Sequence, residues 1–521
     1  MLLFIFDEAS KLFNTTEETS SDRYPCLRRI LRLLRHYPIW SFFLSTNSHV
    51  QQFNLPNHQD PSARISDTTL TRIPPFFALP LNIEMATRMG DPKRAKAELA
   101  KSMSGFSTLD HLSLYGRPLW QIYKRSPQLL RTMAQNKLLN SSNGVYTGHN
   151  KLQVLAVIAT RVSLDPCLNT SESLYLAEES VNSHCRVITS MEPSLRKFKT
   201  MTPSEPVLAE VAANLLMSVP PNGKGNITWV ESIHTLTRTL LYPGLVEKGL
   251  KGELYARLIL IIARDFLLKP GRTHRVPLDF PYAMHFRFLG FLEALFNAQD
   301  FSTIADMTII TKSGKGQDRV PVSLKSAFNN AWCNFTHFTS TDKEINFDEL
   351  GELLHGLVHS QAALQCAFRQ SSWDLIVPIY LGDVDQPFNR SYLSAMFVQV
   401  KNRQRKSTLW VAPGDYVAFN SVPIFCLLLD LGLDTGSVSP CQVDVPHVYA
   451  VHASGATART FRVLSQNSEL ARVFGDLLSE ISCVRVETLH DRICDLNATF
   501  NYHTFASRFP ADVSTDQMNT D

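Results

Sequence analysis

Trp373-Asp374-Leu375-Ile376-Val377-Pro378 and Phe397-Val398-Gln399-Val400-Lys401 are the stretches on which the fold turns. Each is an apolar run long enough for a strand, and each carries polar residues at one end. In the second, Gln399 and Lys401 are two apart, so a strand sets both on one face. A helical pattern precedes them at 342–366, apolar runs follow at 423–431 and 448–452, and a further helical pattern covers 468–480. Helix, acid-led strand, Q-x-K strand, apolar strand and helix predict an α/β domain over 341–482.

Outward from that domain the texture changes twice. Residues 302–340 contain Lys312, Gly314, Lys315 and Gly316 and are expected to be a linker. Before them, 126–301 is expected to be helical, with segments at 172–177, 206–217 and 249–268. The last is apolar on most faces and belongs inside a helical layer. Residues 1–125 begin with a hydrophobic strand, then a basic helix at 26–36, a second strand at 39–45 and a proline-rich stretch near 74–80. That alternation is α/β. The polar segment 483–521 reads as a C-terminal extension.

The 521 residues suffice for about three domains. Hydrophobic residues make up 44% and charged ones 19%, which excludes a mostly disordered or fibrous chain. Net charge is +3, too balanced for a protein that coats nucleic acid through global charge, so contact with DNA requires a local basic patch. Nine cysteines without a C-x-x-C pair argue against a disulfide framework or a zinc ribbon and favour a reducing, intracellular setting. No apolar run approaches the roughly 20 residues of a membrane span, and the start lacks the basic flank of a signal peptide.

Leu2-Leu3-Phe4-Ile5-Phe6-Asp7-Glu8 ends a buried-strand pattern in two carboxylates, the position from which Asp7 can hold hydrated Mg2+ and Glu8 can activate water. The alternative is that both cap a helix starting at Ala9. The strand resembles the Walker B strand of P-loop ATPases, and 39–47, ending Ser45-Thr46-Asn47, resembles their sensor strand. Gly116-Arg117-Pro118-Leu119-Trp120 resembles the G-x-P element of signalling ATPases. No G-x-x-x-x-G-K-[ST] occurs, so useful ATP binding is not expected, and the first region reads as a P-loop NTPase remnant that starts one strand late.

Asp374, Gln399 and Lys401 resemble the PD-(D/E)xK restriction-endonuclease-like motif in the variant where Gln replaces the second acid. That resemblance implies Mg2+ on Asp374 and the Gln399 carbonyl, with Lys401 orienting water or stabilising phosphorane charge, and a helical glutamate such as Glu352 assisting. The alternative makes Asp374 a strand-start turn residue and sets Gln399 and Lys401 on a solvated face. Lys401, Arg403, Arg405 and Lys406 form a basic cluster able to meet phosphates, or an ordinary solvated turn. His355 and His359 share a helical face but lack the glutamate of a zinc protease and are read as core or surface histidines.

Together with Gly252-Glu253-Leu254-Tyr255-Ala256-Arg257, Ala263-Arg264-Asp265 and Asn334-Phe335-Thr336-His337-Phe338, these motifs resemble expanded fungal proteins similar to Crinkler effectors. In those, a P-loop ATPase is joined through a helical region to a restriction-endonuclease-like domain. The resemblance implies intracellular, nuclear action on DNA by an Mg2+-dependent endodeoxyribonuclease. The other reading is a non-catalytic scaffold in which both sites have decayed. From the residues alone, Glu253 and Arg257 offer only an i,i+4 ion pair.

Overall fold

The computed structural model describes residues 2–9, 12, 23–44, 81–142, 145–192, 197–219, 226–247, 252–270, 279–311, 320–368, 370, 373–403, 405–409, 422–433, 435–443 and 445–482. Asn47, the proline-rich stretch and the extension 483–521 lie outside them. Fifteen strands are described: β1 (Leu2–Phe6), β2 (Ile39–Phe43), β3 (Val187–Glu192), β4 (Lys197–Met201), β5 (Phe286–Arg287), β6 (Thr308–Thr311), β7 (Val320–Ser323), β8 (Trp332–Cys333), β9 (His337–Ser340), β10 (Ala362–Gln365), β11 (Leu375–Tyr380), β12 (Leu393–Lys401), β13 (Ile424–Asp430), β14 (Ser437–Cys441) and β15 (Val448–Ser454). The fold is mixed α/β.

Nine strands form one sheet, in the order β14-β15-β13-β12-β11-β10-β9, with β8 pairing β11 and β5 pairing β8. β10, β11 and β12 make an antiparallel meander, whereas β12, β13 and β15 run parallel. β11 and β13 are buried along their whole length, which is why their sequences are apolar on both faces. Val377, Met396, Val398, Leu427 and Val451 turn to one face and join a core with Leu258, Ile262, Phe291 and Phe474. Ile376, Phe397, Cys426 and Ala450 turn to the other, against Leu354, Leu357 and Val358 of helix Leu350–His359.

Helix Glu253–Leu268 runs through the first core, with 14 of its residues buried, as its all-round apolar pattern requires. Gly252 precedes it with φ of 89°, and a Cβ there would come 2.9 Å from Leu431 Cδ1. Only glycine lets the helix start this close to the sheet end.

Three expectations need correcting. The helix over 342–366 covers only Leu350–His359, because Gln361 takes a left-handed φ of 52° and Ala362–Gln365 then pairs with β9 and β11. The region 126–301 is mainly helical but carries the antiparallel hairpin β3–β4. Residues 302–340, expected to be a linker, hold β6 to β9, and Phe328, Phe335 and Phe338 are core residues. Lysines and glycines at 312–316 suggested a linker, but the aromatic residues that follow need burial. The core crosses the expected boundary between helical region and sheet without a break.

Candidate functional site

Asp374 stands one residue before β11. Its backbone N–H donates to Val398 O at 2.9 Å, and its Oδ2 accepts the Val400 N–H at 2.6 Å. The carboxylate thus takes the place of a ladder carbonyl where the strand pair ends. One oxygen is engaged structurally, as the strand-start reading of Asp374 anticipates.

The same residue forms part of the wall of a cleft of about 180 Å³ between the sheet end and the helical layer. Glu253 and Arg257 enter from the first two turns of helix Glu253–Leu268, while Asp165, Glu247 and Asp342 complete an acidic rim. Arg257 is buried, with Nε donating to Glu253 O at 3.3 Å and Nη1 to Ser163 O at 3.1 Å. Burial lowers its pKa to about 10, against the pull of Glu253, Asp165 and Glu247. Glu247's carboxyl is held above its ordinary value, first by partial burial and then by repulsion from Asp165 and Asp342. The cleft therefore carries surplus negative charge.

Gln399 and Lys401 follow Ala395 and Phe397 on the sheet face toward helix Leu350–His359, whereas Val400 and Asn402 approach Gly252. Gln399 is 4% exposed and Lys401 half-buried. In β13, Asp430 is the register partner of Lys401, and Leu428 is that of Gln399. Glu352 is not brought to this end. It pairs with Arg390, just before the first residue of β12, while Gln399 and Lys401 end that strand. The nine-residue strand puts roughly 25 Å between the two ends.

The residue that sequence reading left without chemistry is Glu253. It stood within the G-E-L-x-A-R piece, and the discriminating signal was the glycine before it. The other unexplained pieces are structural. Asp265 Oδ1 accepts from Arg161 and Arg264, each at 2.7 Å, inside the core. Asn334 Nδ2 donates to Val358 O at 2.8 Å, and His337 Nε2 meets Ser204 Oγ at 2.8 Å. Burial drops the His337 pKa to about 3, so the ring is neutral.

Among the described residues no group of three or more His, Cys, Asp or Glu side chains is close enough to form a ready-made metal cage. The cleft's donors are hard carboxylate oxygens. These suit Mg2+, which keeps several waters and is commonly held by one or two carboxylates together with substrate phosphate. The His355 and His359 rings lie 4.3 Å apart, centroid to centroid, tilted by 56°, and burial first, then neighbouring charges, lower the pKa of His359 to about 2. His359 is a neutral core ring.

At the N-terminus, β1 and β2 are parallel neighbours, and Asp7 and Glu8 follow β1 in a turn where Asp7 Oδ1 accepts the Glu8 N–H at 2.8 Å. The G-R-P piece wraps a buried carboxylate. Glu205 accepts the Arg117 N–H at 3.1 Å and Trp120 Nε1–H at 2.6 Å, and it pairs with the Arg117 guanidinium. Gly116, at φ of 86°, leaves no room for a Cβ beside Glu205.

No known family, characterised protein or solved structure matches the chain. No described helix is long and apolar enough to cross a membrane.

Proposed function

We propose that the nine-stranded sheet, with helix Glu253–Leu268, is a restriction-endonuclease-like, Mg2+-dependent DNA nuclease domain. It belongs to a Crinkler-like protein that acts inside the cell, on nuclear DNA. The observation that carries this reading is that Glu253 and Asp374, one from a helix and one from a strand start, share a cleft at the sheet end next to the Q-x-K strand. The order of helix, meander and parallel strand agrees with the order the motif resemblance implies. Bound at these carboxylates, Mg2+ would polarise the scissile phosphate and lower the pKa of attacking water. Asp374 and Glu253 would hold that charge, whereas Gln399 and Lys401, which turn to the opposite sheet face, lie outside the cleft lining and take no part in this site. The parallel pair β1–β2, with Asp7 and Glu8 after it, favours a nucleotide-domain ancestry for the first region.

One observation favours the second reading, a non-catalytic scaffold: the Asp374 Oδ2 bond to Val400, beside a neutral Gln399. Supercoiled plasmid incubated with the purified chain separates the two. Nicking that needs Mg2+ and is lost in Glu253→Gln supports the nuclease. Folded protein that binds DNA and never cuts it supports the scaffold.

A further inference from the structure

β12 does not simply end in a loose basic turn. After Lys401 the chain folds back over the carboxyl end of β13 and is pinned there at three points. Leu431 N–H donates to Lys401 O at 2.7 Å. Ser407 N–H donates to Asp430 Oδ2 at 2.8 Å. Gly432 lies against the Arg403 backbone so closely that a Cβ would come 2.5 Å from the Arg403 nitrogen. Asp430 is fully buried, and its Oδ1 has no hydrogen-bond partner among the described residues. His452 Nε2 approaches Oδ2 at 3.5 Å from β15. A buried carboxylate is costly, and this one is retained where its visible backbone bond holds the segment. Arg403, Arg405 and Lys406 are all exposed on the pinned segment, and Lys401 stands at its root. Four cations thus fall within six residues of a chain whose net charge is only +3.

We propose that residues 401–403 and 405–409 form a phosphate-tracking strap for duplex DNA, and that Asp430 and Gly432 are its positioning residues. The proposal rests on the nuclease reading for the identity of the polyanion, since the strap leaves β12 beside the Asp374 cleft. Carboxyl ends of parallel strands are also where ligands of α/β sheets gather. Basic side chains on a backbone already fixed lose less freedom on meeting phosphates than those on a free loop.

The test is binding of a short labelled DNA duplex of random sequence to the full chain, in EDTA so that nothing is cut, across a salt series. Each phosphate contact removed lowers the slope of log affinity against log salt by about 0.9, so replacing Arg403, Arg405 and Lys406 with Ala should lower it by up to about 2.7. Gly432→Ala displaces the strap without changing any charge, and Ser407→Pro removes the N–H that Asp430 accepts. Whichever of these folds should also lower the slope. An unchanged slope in the triple variant, in Gly432→Ala or in Ser407→Pro overturns the proposal, as does wild-type protein that does not bind duplex. Strap-dependent binding without Mg2+-dependent cutting leaves the strap standing and removes the nuclease. Cutting with an unchanged salt slope does the reverse.

Discussion

Asp374 Oδ2 accepts the backbone N–H of Val400 at 2.6 Å, so the acid that leads β11 also completes the ladder of β12. A side chain with two duties gives separable mutants. Asp374→Asn keeps an acceptor for Val400 and should fold with a near wild-type urea midpoint while losing cleavage. Asp374→Ala leaves the N–H unpaired and should cost about 1–3 kcal/mol, read in the same urea titration.

Glu253 and Glu352 give opposite results in the plasmid assay. Glu253→Gln should abolish Mg2+-dependent nicking, because it removes a carboxylate from the cleft that Asp374 shares. Glu352→Ala should leave nicking intact and shift stability by less than about 1 kcal/mol, because its exposed pair with Arg390 lies at the far end of β12.

Glu210 makes stability depend on pH. It is fully buried, and burial raises its carboxyl pKa to about 7 against the pull of Arg264, Asn214, Arg131 and Arg161. A raised folded-state value means the folded chain holds the proton more tightly than the unfolded chain does. Its contribution is complete below the unfolded value of 4.5 and is lost as pH rises through about 7. Unfolding midpoints should fall between pH 5 and 8 by an amount equivalent to roughly 3 kcal/mol, and Glu210→Gln should flatten that part of the profile.

Glu205 anchors the G-R-P turn. Glu205→Ala strips the partner from Arg117 and the acceptor from Trp120, so a loss of about 3–5 kcal/mol is expected by chemical denaturation. Gly116→Ala should also destabilise, because it meets both a left-handed φ and the Glu205 side chain.

Strands whose neighbours lie on both sides were legible in the sequence. β11, β13 and β15 fall within about two residues of the apolar runs, and β12 ends with the Q-x-K run but starts four residues before it, since a strand buried on both faces must be written in apolar residues. The helix Ser468–Ser482 and the helix Pro206–Met217 were legible for the matching reason of period. Less visible were elements whose identity depends on a partner far along the chain. Ala362–Gln365 is too short to announce itself and becomes a strand only between β9 and β11. Glu253 was unreadable as a site residue because 121 positions separate it from Asp374, and only the close approach of Gly252 to Leu431 brings the helix start to the sheet end.

The unbroken core through helices and sheet bears on how such a chain can be inherited. Leu258 and Ile262 belong to the same continuous core as Val398 and Leu427, so the sheet cannot be shuffled into another gene as a cassette beginning near residue 341. A recombinant cut there would uncover a broad apolar face, the kind of surface that drives aggregation. Exchange between relatives would have to carry the helices with the strands, and compensating substitutions at the sheet would be sought in sequence well over a hundred residues upstream.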